Sequence, residues 1–238
     1  MSQPYARTDW NWISRGWNLF LEQWPMWLLS TLIMMIGMIV SLASFVPFWF
    51  WFMEAVREGY PFGNWLSPLL WVGLAIFLLG TGISAFLYAG MYKSAERQLL
   101  GHKIRLDDLF SASDRFLPLV AVQSVVYALV LIGVCLCLLP GIAVAGLMFF
   151  TTPAVVLGKR GVQESIKESY QIMVSDFPSL ILFGVVTNLI AGAGAQVCYV
   201  GLLASIPLGV LITTVAYYDC TGQAPTNRAD QTLRTFQD

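Results

Sequence analysis

Long apolar stretches alternate with short polar segments along most of this chain. Six of them are long enough, or nearly so, to cross the hydrocarbon core of a bilayer, which takes about 20 residues of helix. They cover residues 28–46, 69–91, 117–139, 141–158, 177–197 and 199–218. The pattern predicts an all-α polytopic bundle, with six spans arranged as three hairpins in one integral membrane domain over residues 1–238.

A polar segment with an apolar stripe precedes the first, third and fifth stretches. Each segment ends near a proline, Pro25, Pro118 or Pro178, and carries an aromatic residue eight positions earlier. The apolar positions recur at helical spacing, so we expect amphipathic helices at the cytoplasmic interface over residues 8–23, 104–116 and 162–176. The residues expected to anchor these helices at the interface are Trp17, Trp24, Phe110, Tyr170 and Phe177.

The same alignment on proline predicts an internal repeat. Each unit would comprise one interfacial amphipathic helix, a bend at the proline and a transmembrane hairpin. The units would cover residues 8–92, 104–158 and 162–218.

Small and polar residues form stripes within the fifth and sixth stretches. Residues four apart share a helix face, and small residues permit close helix packing in a bilayer. The stripes are Gly184, Asn188, Gly192 and Gln196 in the fifth stretch, and Gly201, Ser205, Gly209 and Thr213 in the sixth. Together with Gln123 in the third stretch, these residues are candidates for helix packing or for lining a solute path.

The distribution of charge predicts an orientation for the six spans. Charged residues make up 11% of the 238 residues, well below the share in soluble domains. If the spans alternate, twelve of the thirteen basic residues lie on one side and only Arg57 lies opposite. Because positive charge stays in the cytoplasm, both termini are expected there, in a bacterial inner membrane.

Aromatic residues mark the two edges of the first span. All nine tryptophans precede residue 72, as amphipathic indoles at the headgroups would. The aromatic segment that joins the first two spans, from Val46 to Trp65, is interpreted as an interfacial anchor on the outer side.

Groups that could carry catalysis are scarce in this sequence. His102 is the single histidine, and Cys135-x-Cys137 lacks the spacing of a zinc site. Asp107 and Asp108 are interpreted as capping residues at the start of a helix. Since acid, base and nucleophile are not paired in any known pattern, neither an enzyme nor a cofactor is predicted.

Several motifs resemble a family of small bacterial membrane proteins, the YciC-like group. They include Trp10-x-Trp12-Ile13-x-x-Gly16-Trp17, Trp24-Pro25-x-Trp27, Asp108-Leu109-Phe110 and Leu139-Pro140-Gly141. The broader set includes the membrane domain attached to some glycerophosphodiester phosphodiesterases. The resemblance implies a six-span inner-membrane protein without an assigned activity and carries over no catalytic residues.

Two functions follow from these observations. The first is a non-catalytic protein that organises, assembles with or regulates other membrane components. Its expected partners are membrane lipids, other membrane proteins or further copies of the chain, and no nucleic acid. The alternative is a transporter or channel for a small or lipid-like solute. A cavity at Asn188 and Gln196 would favour transport, whereas a packed seam would favour assembly.

Overall fold

The computed structural model describes residues 7–58, 67–111, 113, 116–136, 144–196 and 200–222, and every regular element among them is helical. The α-helices are α1 (Asn11–Glu22), α2 (Trp24–Ala43), α3 (Phe45–Glu58), α4 (Pro68–Leu99), α5 (Phe116–Leu136), α6 (Thr151–Val156), α7 (Val162–Ser175), α8 (Phe177–Ala193) and α9 (Leu202–Thr221). Short 3₁₀ helices cover Leu106–Phe110 and Gly194–Gln196. The predicted turn at Leu139, Pro140 and Gly141 lies outside the described residues.

Four helices in the described part of the chain are long and apolar enough to cross a membrane. They are Trp24–Arg57, Pro68–Leu99, Phe177–Gln196 and Leu202–Thr221, with 34, 32, 20 and 20 residues. The region of the predicted third span contains α5, with 21 residues, and that of the fourth contains the shorter apolar helix Val144–Val156. The described chain is therefore helical with several helices suited to a membrane, and the count of six spans stays a prediction.

The aromatic segment after the first apolar stretch is helical as far as Glu58. It forms α3, which follows α2 after a single residue, Ser44. Trp49 is largely exposed there, at 60%. The segment was expected to be an interfacial connection, but its described part prolongs the first membrane helix.

α2 and α4 pack against each other in antiparallel directions at a very short distance. A Cβ atom on Gly37 would lie 2.8 Å from the backbone nitrogen of Ser84, and one on Gly80 would lie 2.4 Å from that of Ser41. Going up α2 from Gly37 to Ser41, the contacts therefore go down α4 from Ser84 to Gly80, which makes the two helices antiparallel. Glycine at both positions allows this approach.

The last helix, α9, lies at the centre of the bundle. Its residues from Pro207 to Tyr217 are all buried, and it contacts α1, α2, α4 and α8. Gly16 of α1 lies against Ile212, where a Cβ atom would come within 2.6 Å of the isoleucine side chain. The predicted sixth span is thus a core helix surrounded by other elements of the chain.

Two of the three predicted amphipathic segments form α-helices. α1 and α7 each end one residue before a proline-led helix, and the intervening residues, Gln23 and Asp176, have similar extended φ angles of −135° and −141°. In the middle segment the α-helix prediction is wrong, because residues 106–110 form a 3₁₀ helix. The internal repeat stays a prediction.

The five aromatic anchor candidates lie on the outside of the bundle. Trp17, Trp24, Phe110, Tyr170 and Phe177 are between 47% and 54% exposed. The buried face of α1 consists instead of Trp12, Gly16, Leu19 and Phe20. The buried face of α1 therefore lies beside Trp17, which is on the outside of the helix.

Candidate functional site

A cavity of about 520 Å³ lies among α4, α5, α8, α9 and residues 145–152. We call it the polar cavity. Its polar lining comes from the side chains of Tyr88, Tyr92, Gln123, Thr152, Thr187, Asn188 and Thr213. The apolar remainder includes Phe149, Leu189, Ala191 and the glycines Gly146, Gly184 and Gly209. Four of the candidate residues, Gln123, Gly184, Asn188 and Gly209, therefore meet at one site.

The two phenols stand one helical turn apart on α4. The hydroxyl oxygens of Tyr88 and Tyr92 are 3.4 Å apart, and their rings meet edge to face with centroids separated by 5.3 Å. Positions four apart share a helix face, so the sequence spacing turns both rings toward the cavity. This wall presents hydroxyl groups that can donate and accept hydrogen bonds.

The opposite wall is formed by one turn of α8. The Asn188 amide nitrogen donates to the Gly184 carbonyl oxygen at 2.8 Å, a hydrogen bond within its own helix. Of the two roles considered for Asn188, helix packing and lining a solute path, its place in the cavity wall favours the second. Its neighbour Thr187 is 2% exposed, and its hydroxyl oxygen is buried with no hydrogen-bond partner in the described part of the chain. An unpaired buried hydroxyl is costly, which marks this turn as a place for an occupant.

The other predicted amide positions differ in their surroundings. Gln123, on α5, lines the cavity opposite α8. Gln196 is exposed and lies in the 3₁₀ helix after α8. Of the two amides expected to mark a solute cavity, Asn188 and Gln196, only Asn188 reaches it.

The stripe on α9 packs against α8, but the stripe on α8 is only partly in this contact. The backbones of Gly201 and Gly194 are in contact. A Cβ atom on Gly201 would lie only 2.7 Å from the Cα atom of Gly194. The Ser205 hydroxyl donates to the Ala191 carbonyl oxygen at 2.7 Å. Among the described residues, nothing lies within 4 Å of a Cβ placed on Gly192. The contact with α9 therefore involves Ala191 of α8 and Gly194 of the following 3₁₀ helix, while Gly192 and the exposed Gln196 lie outside it.

A second polar region joins the elements at one end of the bundle, which we call the α1 end. Asp219, at the end of α9, accepts hydrogen bonds from the Trp12 indole nitrogen, at 2.8 Å, and from the Arg15 guanidinium. The Tyr218 hydroxyl donates to Glu96 on α4 at 2.6 Å. Arg15 thus ties α1 to the core helix.

Acidic residues pair similarly around the rest of the α1 end. Glu168 on α7 accepts from the Arg160 side chain at 3.2 Å. Asp108 pairs with Arg97 and also accepts from the backbone nitrogen of Arg105. The second contact caps the 3₁₀ helix, in agreement with the interpretation of Asp108 as a capping residue.

Asp176 connects the start of the described chain to the entry of α8. The hydroxyl and backbone nitrogen of Thr8 both donate to it, at 2.7 and 3.1 Å. These hydrogen bonds stabilise the carboxylate and lower the pKa of Asp176 below its usual value. The contact fixes the N-terminal segment beside the third amphipathic helix.

Sequence reasoning missed Gln98, which is the amide that joins helices. It lies on α4 and is 2% exposed. Its nitrogen donates to the Leu19 carbonyl oxygen at 2.6 Å, and its oxygen accepts from the Trp27 indole at 2.9 Å. Its partners are more than 70 residues away in the chain, so no local pattern points to them.

No family model, curated protein or solved structure matches this chain. The resemblance to the YciC-like group therefore stays a prediction.

Proposed function

We propose that this chain is a non-catalytic, multi-pass inner-membrane protein that binds a small or lipid-like solute in the polar cavity, as a transporter does. The observation that carries the proposal is the concentration of hydroxyl and amide groups around a single cavity within an apolar bundle. Pockets for small molecules have this character, with a few polar groups in a mainly apolar wall. Hydroxyls and amides bind a solute through hydrogen bonds.

The small residues of α9 give less support to the other function, assembly with membrane partners. Ser205 and Gly209 contact Ala191 of α8, and Gly201 contacts Gly194 just after it. Such residues drive helix association in membranes, but these are already engaged within the protein. Organisation of other membrane components therefore ranks second.

The orientation forms part of the proposal. Arg15, Lys93, Arg97 and Arg160 take part in polar contacts at the α1 end. Because basic residues near membrane spans stay in the cytoplasm, we assign the α1 end and both termini to that side.

Leucine at Gly184 provides the test, because this residue lines the cavity. A Cβ atom there would be in ordinary contact with the Phe149 ring, at 3.5 Å, so a longer side chain has to use cavity space. We expect Gly184→Leu to lose most of the small molecules that co-purify with the protein in mild detergent. Solvent extraction and mass spectrometry of the extract measure the retained amount.

Gly192→Leu is the matched control, since Gly192 lies two turns further along α8 and faces open space. It should retain the same molecules as the unmodified protein. Both variants are compared only after size-exclusion profiles and unfolding temperatures show that they are folded. Equal retention by Gly184→Leu and Gly192→Leu would contradict solute binding in the cavity.

A further inference from the structure

Three features of the polar cavity define the chemistry of its ligand, if the cavity binds a solute as proposed above. They are the type of groups in its wall, its depth in the membrane, and the exposure of its rim.

The polar groups of the wall are phenol, hydroxyl and amide groups. Among the described lining residues, no carboxylate, ammonium, guanidinium or imidazole group occurs. A charged ligand would leave water here without a counter-ion, which is unfavourable in a membrane interior. An uncharged head with hydroxyl or carbonyl oxygens can instead donate to and accept from these groups.

The depth of the cavity strengthens this exclusion of charge. Asn188 follows the start of α8 at Phe177 by eleven residues, a distance of about 16 Å along a helix. That is roughly half of the ~30 Å hydrocarbon core. The amide therefore lies far from both headgroup layers.

Thr187 supplies evidence that the wall is built for a hydrogen-bonding occupant. Helical threonines commonly satisfy their hydroxyl on the carbonyl four residues earlier. Thr213 and Thr214 do so, donating to Gly209 and Val210 at 2.8 and 2.7 Å. The Thr187 hydroxyl is as deeply buried but has no partner among the described residues. Because Thr187 lines the cavity, a ligand there can supply the missing hydrogen bond once the hydroxyl turns toward it.

The rim indicates the route by which the ligand arrives. Leu189 belongs to the lining and is also 67% exposed on the outer surface of α8, beside the exposed Val185. Such apolar surface on a membrane helix faces lipid. The cavity therefore opens toward the acyl chains, and its volume accommodates a headgroup while longer chains remain in the bilayer.

We propose that the polar cavity takes an uncharged, single-headed lipid from the bilayer, with its hydroxyl or ester carbonyl groups held by Thr187, Asn188 and Gln123. A neutral glycerolipid without phosphate has this chemistry. Phosphatidic acid with the same chains differs only in its anionic phosphate and is the matched negative ligand.

The experiment uses the full-length protein in phosphatidylcholine vesicles. Two photoreactive probes with identical acyl chains are compared, a diacylglycerol and a phosphatidic acid, and labelled peptides are mapped by mass spectrometry. We expect the diacylglycerol to label peptides that contain residues 184–191 at least about ten-fold more than the phosphatidic acid. Excess unlabelled dioleoylglycerol should suppress this labelling, whereas millimolar glycerol, the water-soluble source of the same hydroxyl chemistry, should not.

Two variants with the same side-chain change test the role of the hydroxyl. Thr187→Val should reduce diacylglycerol labelling by about three-fold or more, in line with the loss of one hydrogen bond. Thr214→Val removes a buried hydroxyl outside the cavity lining and should leave labelling unchanged. Because valine replaces threonine at nearly constant volume, a general packing effect would appear in both variants.

Equal or stronger labelling by phosphatidic acid, equal loss in both valine variants, or suppression by glycerol would overturn this assignment of the ligand. So would a co-purified molecule that is charged and is lost in Gly184→Leu, although solute binding would then stand. Failure of the proposed function has a different signature, which is equal retention of co-purified molecules in Gly184→Leu and Gly192→Leu.

Discussion

Buried polar side chains in this protein differ in how their hydrogen bonds are satisfied. Thr31, Thr213 and Thr214 use carbonyl oxygens of their own helices, which requires nothing from the rest of the fold. Gln98 uses groups from two other helices. Its loss would leave two distant groups without these partners in an apolar interior, so Gln98 links α1 and α2 to α4.

We expect Gln98→Leu to destabilise the protein. The substitution removes the donor to the Leu19 carbonyl and the acceptor of the Trp27 indole. Each buried group left without a partner costs about 1 to 3 kcal/mol. The free energy of unfolding in detergent measures the loss, and Gln163→Leu, at an exposed position of α7, provides the control. Equal stability of the two variants would contradict a bridging role.

The residues of the polar cavity could be recognised in part from the sequence. Gln123 and Asn188 stand out because amides are rare in apolar stretches. Thr187 and the two tyrosines do not stand out, since hydroxyl-bearing residues are common in membrane helices. Which of these side chains share a cavity depends on the rotation of each helix about its own axis. The sequence of a single helix does not determine that rotation, because it depends on the neighbouring helices.

Single helices followed well from the hydrophobic pattern, since their length is set by the thickness of the bilayer. α4, α8 and α9 match the second, fifth and sixth stretches closely. The middle of the chain was harder to predict, because residues 104–116 carry the apolar spacing of an α-helix, whereas residues 106–110 form a 3₁₀ helix. There the Asp108 carboxylate satisfies the Arg105 backbone nitrogen, and Leu109 rests against Gly90 of α4. Tertiary contact thus overrides the local preference.

The close contact between α2 and α4 makes a prediction at the scale of the helix pair. Gly80→Ala places a Cβ atom 2.4 Å from the Ser41 backbone nitrogen, so the helices have to separate. We expect a loss of about 1 to 3 kcal/mol in the free energy of unfolding, as for other overpacked sites.

Gly82→Ala, two residues further along α4, is the control for that change. Its Cβ atom would lie 3.8 Å from the Phe116 ring, and alanine favours a helix over glycine by about 1 kcal/mol. Gly82→Ala should therefore be neutral or stabilising in the same unfolding measurement. The close contact would be refuted as a source of stability if the two alanine variants unfolded alike.

At the scale of the whole molecule, the last helix is the structural centre. α9 is surrounded by α1, α2, α4 and α8, although its hydrophobic pattern resembles that of the other spans. Its core position is consistent with its small residues, its polar end at Asp219 and the buried hydroxyls of Thr213 and Thr214. A helix that contacts protein on most sides can carry such groups, whereas a helix facing lipid can carry few.

The arrangement of residues 116–156 bears on the number of spans. Phe116, the first residue of α5, lies against Gly82, near the middle of the 32-residue α4. α5 has 21 residues, so it is as long as α2 or α9, whereas the described part of the fourth stretch contains only the shorter apolar helix Val144–Val156.

Reporter fusions test the orientation through the division of the basic residues. Twelve of the thirteen lie on one side of an alternating six-span chain, and the positive-inside rule assigns that side to the cytoplasm. An alkaline phosphatase or a fluorescent protein fused after Asp238 or inserted after Gly101 should report the cytoplasm, and one near Gly63 the opposite side.

These outcomes hold for four spans as well as six, because both numbers are even. A fourth insertion at Gly141 separates them: six spans require the far side, whereas four spans keep this position on the side of Gly101. A C-terminal reporter on the far side would contradict the orientation for either number, because it requires an odd number of spans or an inverted insertion that leaves the basic residues on the far side.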